Sequence, residues 1–496
     1  MSAYAELKRR RATIYNLEHL QGIATWDRMV NMPSRGSEVR AAAQGELEVL
    51  IQGLQTDPAI GDLLSAAGDE RLEADDEANL GLMVREQKVA RALPEALVRR
   101  RSELVGAASQ AWGKAKAEND WPSFAEAFAP LVDCLRERAD RLGEAMELAP
   151  YDALLDEHDR GLTLAAVQAL FDPVRAWLPD LIRTVVARQA RETVLQTQGP
   201  FPVEGQRRVG VAIMSLLGFD FDAGRLDVSA HPFMIGIPGD VRITTRYRES
   251  ECFQSLVGIV HETGHALYQS NLPPAWRGQP LGEPASAAIH ESQSLTFERQ
   301  VAPSRAFAAQ IAPILRAEFG DQPAFDPDNL FRLMTRVRPG AIRVEADEVT
   351  YPAHILLRTE IEPMILSGEL PVADIPAWWA DRMQALLDID VRGDDTRGAL
   401  QDIHWSQGMF GYFPSYLQGA MIAAQLGAAF RQAHPDFPEQ AARGAFGGLK
   451  TWLGDNVWRH GSRLTTDEIV RRATGRPLSA DALKAHFESR YLEVAP

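Results

Sequence analysis

Two histidines lie four residues apart in the segment "VGIVHETGHALYQ", and a glutamate directly follows the first of them. If this segment is helical, His261 and His265 project their imidazole rings toward one point, which suits tetrahedral Zn²⁺. Glu262 then lies one position round the helix, where its carboxylate can reach a metal-bound water. Zinc lowers the pKa of such a water, and Glu262 can accept its proton during attack on a carbonyl group. The spacing therefore predicts a hydrolytic zinc site.

An amphipathic helix with two core histidines is the simpler alternative. From Cys252 to Leu272 apolar residues recur at three- and four-residue spacing, which predicts a helix whose buried face includes both histidines. Before Glu262, that face carries no other polar residue. The pattern favours metal ligands over two imidazoles that merely fill a core.

A zinc site with catalytic function needs a third protein ligand. The metzincin pattern is excluded, because Tyr268 and Asn271 occupy the positions where that class has glycine and histidine. The segment "AAIHESQSLTFER" supplies Glu291, which we predict to open a helix beyond a proline-containing loop. Glu291 is therefore the predicted third ligand. The alternatives are Glu283, which falls in the loop, and His290, which helical geometry turns away from Glu291.

The elements that carry these residues are predicted to be mainly α-helical. From Ala3 to about Val194 the apolar residues follow helical spacing, and three prolines break the helices: Pro58, Pro94 and Pro122. Between Leu226 and Tyr247 apolar and polar residues alternate around the turn Pro238-Gly239-Asp240, which predicts a small β-hairpin. The alternation places Arg242 and Thr244 on one face of the second strand.

Composition and charge restrict the class of protein. The chain has 496 residues, 45% of them hydrophobic and 24% charged, as expected for a folded globular protein. Its formal net charge of -16 argues against nucleic acid as a partner. We find no apolar stretch long enough to cross a membrane and no secretory signal pattern. Because Cys134 and Cys252 are the only cysteines, we expect a cytoplasmic protein.

Several further segments resemble, in the same order, motifs of the carboxypeptidase Taq family of zinc metallocarboxypeptidases. Near the two histidines these are "HETGHALYQ" and "PLGEPASAAIHESQS". Elsewhere they are "TWDRMVNMPSRG", "YDALLDEHD", "HPF", "DVRIT", "IRVEADEVTYPAHI" and "LQDIHWSQGMFGYFPSY". The similarity spans most of the chain. Such an ordered set is more specific than any single motif.

The resemblance implies a helical, saddle-like single domain with a deep groove and a small sheet beside the metal site. It further implies a homodimer that removes single residues from peptides with a free C-terminus. Carried over by motif, His261, His265 and Glu291 would hold one zinc ion per chain, with cobalt as an alternative metal, and Glu262 would be the general base. We divide the domain, residues 1–496, into a helical part (1–225), a part with the metal site and groove (226–420) and a helical C-terminal part (421–496).

A carboxypeptidase must recognise a free carboxylate, for which a guanidinium group is the best partner. Arg343 in "IRVEADE" is the first candidate and Arg242 on the hairpin the second. For each, the alternative is a structural ion pair: with Glu345 or Asp347 for Arg343, and with Asp240 for Arg242.

The remaining candidates come from the other resembling motifs. His404 and Tyr412 could donate to the oxyanion that forms during hydrolysis, or could be buried residues of an aromatic cluster. His231, Thr244 and Gln401 are predicted to contribute to substrate binding; for His231 the alternative is that it only closes the hairpin. Gln401 and its neighbour Asp402 could instead orient nearby groups. We expect His354 to be structural.

Three departures from the family pattern remain at this stage, one of them Arg160 in "LLDEHDRGLT", where the family commonly has proline. Glu291, Leu295 and Glu298 fall on one helical face, but the family usually continues after "HESQS" with arginine and Trp-Glu-Asn. After "GYFPSY" the chain has Gly419-Ala420 where the family has Gly-Asn. The alternative functions are an oligopeptidase that cleaves internally and a scaffold with a structural metal. A scaffold with a structural metal would need no general base such as Glu262.

Overall fold

A computed structural model describes residues 2–493, which form twenty α-helices and three β-strands within that range. The first ten helices are α1 (Ala3–Val30), α2 (Ser37–Gln55), α3 (Ala59–Gly68), α4 (Ala74–Ala92), α5 (Glu95–Glu118), α6 (Trp121–Met146), α7 (Pro150–Asp156), α8 (Leu164–Gln189), α9 (Val203–Leu216) and α10 (Phe253–Ser270). The other ten are α11 (Ala287–Leu295), α12 (Arg305–Phe319), α13 (Pro327–Met334), α14 (Tyr351–Ser367), α15 (Ile375–Leu387), α16 (Pro414–Ala433), α17 (Phe437–Ala442), α18 (Gly447–Asn456), α19 (Thr466–Thr474) and α20 (Ala480–Glu488).

The predicted fold class, mainly α with a minor sheet, is confirmed. Helix α3 follows Pro58, α5 follows Pro94, and α6 carries Pro122 in its first turn, so the predicted helix breaks lie where the helices change. Proline fits these places because its ring fixes φ and it has no N–H to donate within a helix. No helix within residues 2–493 combines the length and apolar character that a membrane crossing requires.

The sheet has one more strand than the sequence predicted. Strands β2 (Phe233–Ile237) and β3 (Asp240–Thr245) form the expected antiparallel hairpin, with Gly239 at φ 97° in the turn. Strand β1 (Gly224–Val228) pairs with β3 in parallel, so the strand order is β1-β3-β2. In sequence, β2 lies between β1 and β3, so no tight turn connects the two parallel strands. Without such a turn signal, periodicity alone did not identify β1.

The chain folds into two compact units, each built from three separate stretches. The first unit contains Met1–Ala90, Val194–Met334 and Ile422–Pro477. The second contains Arg91–Thr193, Thr335–Met421 and Leu478–Pro496. These limits differ from the three consecutive parts that the sequence suggested, and the single-domain expectation stays a prediction. The HExxH segment and the hairpin belong to the first unit, whereas Arg343 and His404 belong to the second.

In the first unit the sheet packs directly against α10. Leu226, Val241 and Ile243 from β1 and β3 form a buried cluster with Ile259 and Ala266 of α10. Burial of aliphatic side chains of this size stabilises the fold by roughly 1.5–3 kcal/mol each. The cluster fixes the back of α10 and leaves its opposite side to carry the polar residues of the site.

Candidate metal centre

Helix α10 carries the two histidines, as predicted. It spans Phe253–Ser270, and its first-turn amide of Gln254 donates to Glu251 Oε2 at 2.9 Å. The helix ends at Ser270, shortly before a Pro-Pro pair that cannot continue it. Its side chains are half-buried at His261 and His265 and buried at Glu262. One helical turn therefore presents both imidazoles side by side, as the four-residue spacing requires.

Helix α11 supplies Glu291, although its start differs from the prediction. The helix begins at Ala287, capped by Ser286 Oγ, which accepts from the amide of Ile289 at 3.0 Å. Glu291 therefore lies in the middle of the helix and does not open it. The predicted start at Glu291 is wrong because Ser286 caps the helix and lets it begin four residues earlier.

The two helices approach closely at Gly264. A Cβ atom at this position would lie 2.6 Å from Ser294 Cα and 2.7 Å from Gln293 O, both backbone atoms of α11. Only glycine allows this separation without moving one of the helices. The close approach brings Glu291, one turn before Ser294, toward the two histidines of α10.

The three predicted ligands are brought together. Ligand atoms of His261, His265 and Glu291 all lie within 4.8 Å of one another. Glu291 Oε2 is 3.4 Å from His265 Nε2 and 3.9 Å from His261 Nε2. Tetrahedral zinc with bonds of about 2.0–2.1 Å separates its ligands by about 3.3 Å, so this donor set fits a small divalent ion.

A fourth buried residue, Glu298, holds His261 from behind. Glu298 Oε2 is 2.6 Å from His261 Nδ1, and Glu298 Oε1 is 2.8 Å from Arg299 Nη2. This contact occupies Nδ1 and leaves Nε2 of His261 directed at Glu291. A carboxylate that accepts from the second ring nitrogen of a histidine ligand fixes its tautomer and its orientation.

The sequence predicts that Glu298 shares a helical face with Glu291 but indicates no role for it. Its seven-residue spacing from Glu291, two helical turns, was the available signal. The backbone between the two is not regular α-helix throughout: α11 ends at Leu295 and continues as a π-helical turn over Thr296–Val301. This π-helical turn could not be read from composition, and such turns often occur at functional sites.

His290, an alternative third ligand, contacts the other histidine of the pair. Its Nδ1 lies 2.6 Å from Nδ1 of His265, and its Nε2 lies 3.3 Å from Gln269 Oε1. Burial, followed by the nearby His265, lowers the pKa of His290 to about 3. The neutral His290 ring thus orients His265. Among the described residues, the group that could hold a metal ion includes His265 but not His290.

The electrostatics of the site call for a cation. Burial alone would lower the pKa of His261, but Glu291 and Glu298 outweigh it and raise that pKa to about 10. Burial raises the pKa of Glu262 above its usual range, opposed by His261 and His265. Three buried glutamates thus surround two imidazoles, and a divalent ion would balance the excess negative charge.

The hairpin residues of the predicted substrate-binding set are already engaged within the first unit. Arg242 forms two bonds to Asp240, at 2.9 and 3.0 Å, and its guanidinium lies 4.4 Å from the centre of the Trp26 ring. Thr244 is fully buried, and its hydroxyl contacts Ser229 Oγ at 2.7 Å. The pair with Asp240 favours the structural alternative for Arg242, and the enclosed hydroxyl of Thr244 cannot reach a ligand.

His231 and Glu283 also belong to the first unit. His231 lies exposed in the loop between β1 and β2, and its carbonyl oxygen accepts from Ser229 Oγ at 2.5 Å. Glu283 lies in a loop, as predicted, and burial raises its pKa to about 7. Among the described residues, the group that could hold a metal ion consists of His261, His265 and Glu291 and does not include Glu283.

Arg343, in the second unit, pairs with a carboxylate that the sequence did not suggest, Asp402. Its Nε donates to Asp402 Oδ1 at 2.9 Å, and its Nη1 donates to Tyr351 OH at 3.3 Å. On its other side, Asp402 Oδ2 accepts from Arg358 Nε at 2.6 Å. Burial would raise the pKa of Asp402, but the two guanidinium groups hold it well below its usual range. Arg343 thus forms the structural ion pair weighed as the alternative, but with a carboxylate 59 positions away and not with Glu345 or Asp347.

Gln401 fixes the backbone around this arginine. Its Oε1 accepts from the amide of Arg343 at 2.8 Å, and its Nε2 donates to the carbonyls of Ala341 and Arg397 at 3.0 and 2.8 Å. The orienting role is therefore favoured over direct substrate binding. His354, two turns before Glu362 in α14, is fully buried, and burial lowers its pKa to about 3, in keeping with a structural role.

His404 and Tyr412 lie together in the second unit. Their rings are stacked with centroids 5.9 Å apart, and His404 Nε2 is 3.1 Å from Tyr416 OH. Burial lowers the pKa of His404 to about 4, so the ring is neutral near pH 7. Its Nδ1 has no hydrogen-bond partner among the described residues. A neutral imidazole can still donate one hydrogen bond to a developing negative charge.

The site combines three features that are typical of metallopeptidases. One helix carries His-Glu-x-x-His, the glutamate of this motif is buried, and a downstream glutamate faces both imidazoles. The chain belongs to the carboxypeptidase Taq (M32) metallopeptidase family, whose model matches residues 6–491. The protein is therefore a peptide hydrolase, and the family resemblance stated from the motifs is confirmed.

Relatives match over nearly their full length. The chain is 36% identical to thermostable carboxypeptidase 1 of Pyrococcus furiosus, covering 97% of this chain and 96% of that protein. It is also 36% identical to thermostable carboxypeptidase 1 of Thermus thermophilus, over 98% of this chain and 97% of that one. Among solved structures, metallocarboxypeptidase 1 of Trypanosoma cruzi superposes with a TM-score of 0.96 at 40% identity, covering 99% of each chain.

Proposed function

We propose that the protein is a zinc-dependent carboxypeptidase that releases single residues from peptides with a free C-terminus. The observation that carries the proposal is the convergence of His261, His265 and Glu291 within 4.8 Å. Membership of the carboxypeptidase Taq family supports peptides as the substrate class. Two nitrogens and one oxygen suit zinc, and cobalt would also fit. One ion per chain is proposed.

His261, His265 and Glu291 would hold the ion. Glu298 would orient the His261 ring, and His290 would orient the His265 ring. When bound, such an ion polarises a peptide carbonyl and lowers the pKa of water. Glu262, buried on the same turn as His261, accepts the proton of the attacking water and passes it to the leaving nitrogen. Burial raises the pKa of Glu262, which makes its carboxylate a stronger base than an exposed glutamate.

His404 and Tyr412 are proposed to donate hydrogen bonds to the oxyanion. Support comes from the neutral state of His404 near pH 7 and from its Nδ1, which no described residue bonds. For the terminal carboxylate Arg343 stays the first candidate and Arg242 the second. Each already has a carboxylate partner, so either would share its guanidinium between that partner and the substrate. For His231, Thr244 and Gln401 only an indirect contribution to substrate binding is proposed, through the backbone they hold.

Location and assembly are part of the proposal. Cys134 and Cys252 are both free and buried, which suits the reducing cytoplasm. The family resemblance supports a homodimer. Light scattering on the purified protein measures the mass directly, and a mass near the 54.8 kDa of one chain would contradict dimerisation.

The function is tested with one peptide prepared as free acid and as C-terminal amide. Mass spectrometry follows both over time, with protein before chelation, after chelation and after return of zinc. Stepwise loss of C-terminal residues from the acid alone, abolished by the chelator and restored by zinc, is the expected result. Internal cleavage of both peptides would instead identify an oligopeptidase. No cleavage by metal-loaded protein would leave a metal-binding scaffold.

A further inference from the structure

A cavity of about 700 Å³ lies in the first unit, and none of its lining residues is a proposed metal ligand. It is bordered by the segment that follows α10, which contributes Trp276, and by residues that follow α18 or belong to α19. Ligand pockets for small molecules typically have volumes of roughly 300–1,000 Å³. The size therefore permits a ligand much larger than a single inorganic ion.

The lining of this cavity is strongly basic. Arg459, His460, Arg463 and Arg472 all contribute to it, against one carboxylate, Asp75. Arg463 Nη2 pairs with Asp75 Oδ1 at 3.1 Å. The guanidinium groups of Arg459 and Arg472 form no ion pair within residues 2–493. In a chain with a net charge of -16, these arginines give the cavity a locally positive potential that would attract an anion.

Arg459, Arg463 and Arg472 all help to lower the pKa of one histidine of the cavity, His460. Burial lowers the pKa of His460, and the next causes are the positive charges of Arg472, Arg459 and Arg463. The positive charges of the three arginines thus all act on the same imidazole ring, which also lines the cavity.

Helix termini offer a simpler explanation, which covers only part of the cluster. Arg472 lies in the last turn of α19, where a cation is stabilised by the helix dipole by about 0.3–1 kcal/mol. Arg471 lies in the same turn and already serves that end, since its Nε pairs with Asp467 Oδ2 at 2.5 Å. The dipole therefore requires neither a second arginine at this end nor its grouping with Arg459 and Arg463 around a cavity.

We propose that this cavity binds a small phosphate monoester. Guanidinium groups match phosphate oxygens with paired N–H donors, and a dianion with three free oxygens can use several of them at once. A carboxylate carries one negative charge and two acceptor oxygens, whereas a phosphate monoester carries up to two charges on three free oxygens. The indole of Trp276 supplies an aromatic surface for the group attached to the phosphate. This site is independent of the proposed peptidase chemistry.

Isothermal titration of the full-length, metal-free protein tests the proposal with four probes: adenosine 5′-monophosphate, ribose 5-phosphate, inorganic phosphate and adenosine. We expect both esters to bind with one site per chain, inorganic phosphate to bind more weakly, and adenosine not to bind. Zinc-loaded protein should give the same affinities. Absence of ester binding, binding of inorganic phosphate as tight as that of the esters, or binding that requires zinc would each overturn the proposal.

Matched arginine variants locate the binding. Arg459→Gln and Arg472→Gln should each weaken ester binding about tenfold, the loss expected for one charged hydrogen-bonding group. Arg471→Gln removes a neighbouring arginine that does not line the cavity, and it should leave the affinity unchanged. The mutated side chains are exposed, so thermal unfolding should match that of the unmodified protein. Undiminished binding in the double variant at positions 459 and 472 would place the ligand elsewhere and overturn the proposal.

Discussion

Glu298 Oε2 lies 2.6 Å from His261 Nδ1, on the side of the imidazole opposite the predicted metal ligands. The second oxygen of Glu298 contacts Arg299 at 2.8 Å, which keeps the carboxylate charged. Because this carboxylate sets both the tautomer and the angle of a ligand ring, its loss should affect metal binding before anything else.

We expect Glu298→Gln to weaken zinc binding about 10- to 100-fold, as for other outer carboxylates that orient a histidine ligand. Competition with a chromogenic chelator measures the affinity without any reference to activity. Glu318→Gln in α12, which removes the half-buried partner of the exposed Arg208, is the control and should bind zinc normally. An unchanged zinc affinity in Glu298→Gln would show that the contact with His261 is incidental.

Gly264→Ala should destabilise the protein even though alanine normally favours a helix by about 1 kcal/mol over glycine. The added Cβ would meet backbone atoms of α11 at 2.6 and 2.7 Å, so α10 and α11 must separate and Glu291 must leave its place. We expect a lower midpoint of thermal unfolding together with weaker zinc binding.

Gly258 in the same helix is the control for this prediction. A Cβ there would meet only Pro232 Cγ, at 3.9 Å, so Gly258→Ala should be neutral or slightly stabilising. If both alanine variants behaved alike, the close approach of the two helices would not be what positions Glu291.

Glu262→Gln should retain zinc but lose turnover by about 100-fold or more, the contribution expected from a general base. The amide keeps the size of the side chain but cannot accept the proton of the attacking water. Metal analysis and peptide hydrolysis are measured on the same preparation. A variant with near-normal activity would rule out the proposed base, and a variant without metal would show that Glu262 supports the ligands.

Sequence reasoning predicted the parts of this site that depend on spacing within one helix. His261 and His265 needed only the four-residue spacing, which α10 satisfies. Glu291 was preferred over Glu283 and His290 from its place on a predicted helical face, but the predicted start of that helix was wrong by four residues, since α11 begins at Ala287. Whether Glu291 reaches both imidazoles depends on the separation of the helices at Gly264, which periodicity does not encode.

Contacts between distant segments could not be predicted in the same way. The pairing of Arg343 with Asp402 spans 59 positions, and nearer carboxylates looked equally suitable. Strand β1 pairs in parallel with β3, and β2 lies between the two in sequence. No turn therefore joins β1 directly to its partner, and no turn residue marked the pairing. Thr244 alternated correctly with its neighbours, yet burial of both faces of β3 enclosed its hydroxyl.

Asp402→Asn should lower the free energy of unfolding by about 3–5 kcal/mol, because it leaves two buried guanidinium groups without their carboxylate. Arg343 and Arg358 have little exposed surface on which water could replace the lost charge. Urea unfolding of the variant gives the value. Asp390→Asn, at an exposed pair with Arg392, is the control and should change stability by no more than about 0.5 kcal/mol. Equal effects of the two substitutions would contradict the role of burial.

Glu362 should make stability depend on pH in the second unit. Its carboxylate is fully buried and accepts from Tyr151 OH, Trp405 Nε1 and the amide of Gly411 at 2.9, 3.0 and 2.8 Å. Burial nevertheless outweighs these bonds and raises its pKa to about 7 from the ordinary 4.5. The folded state therefore binds more protons than the unfolded state between these two values.

The free energy of unfolding should accordingly fall as pH rises from about 4.5 through about 7, by about 3 kcal/mol in all from this one group. Glu362→Gln has no such proton to lose, so the difference in stability between the unmodified protein and the variant should shrink across this range. Urea unfolding at several pH values measures it. Glu283, whose pKa is also raised to about 7, titrates in both proteins and cancels in the difference. Parallel stability curves would mean that Glu362 stays ionised in the fold and that its three donors outweigh burial.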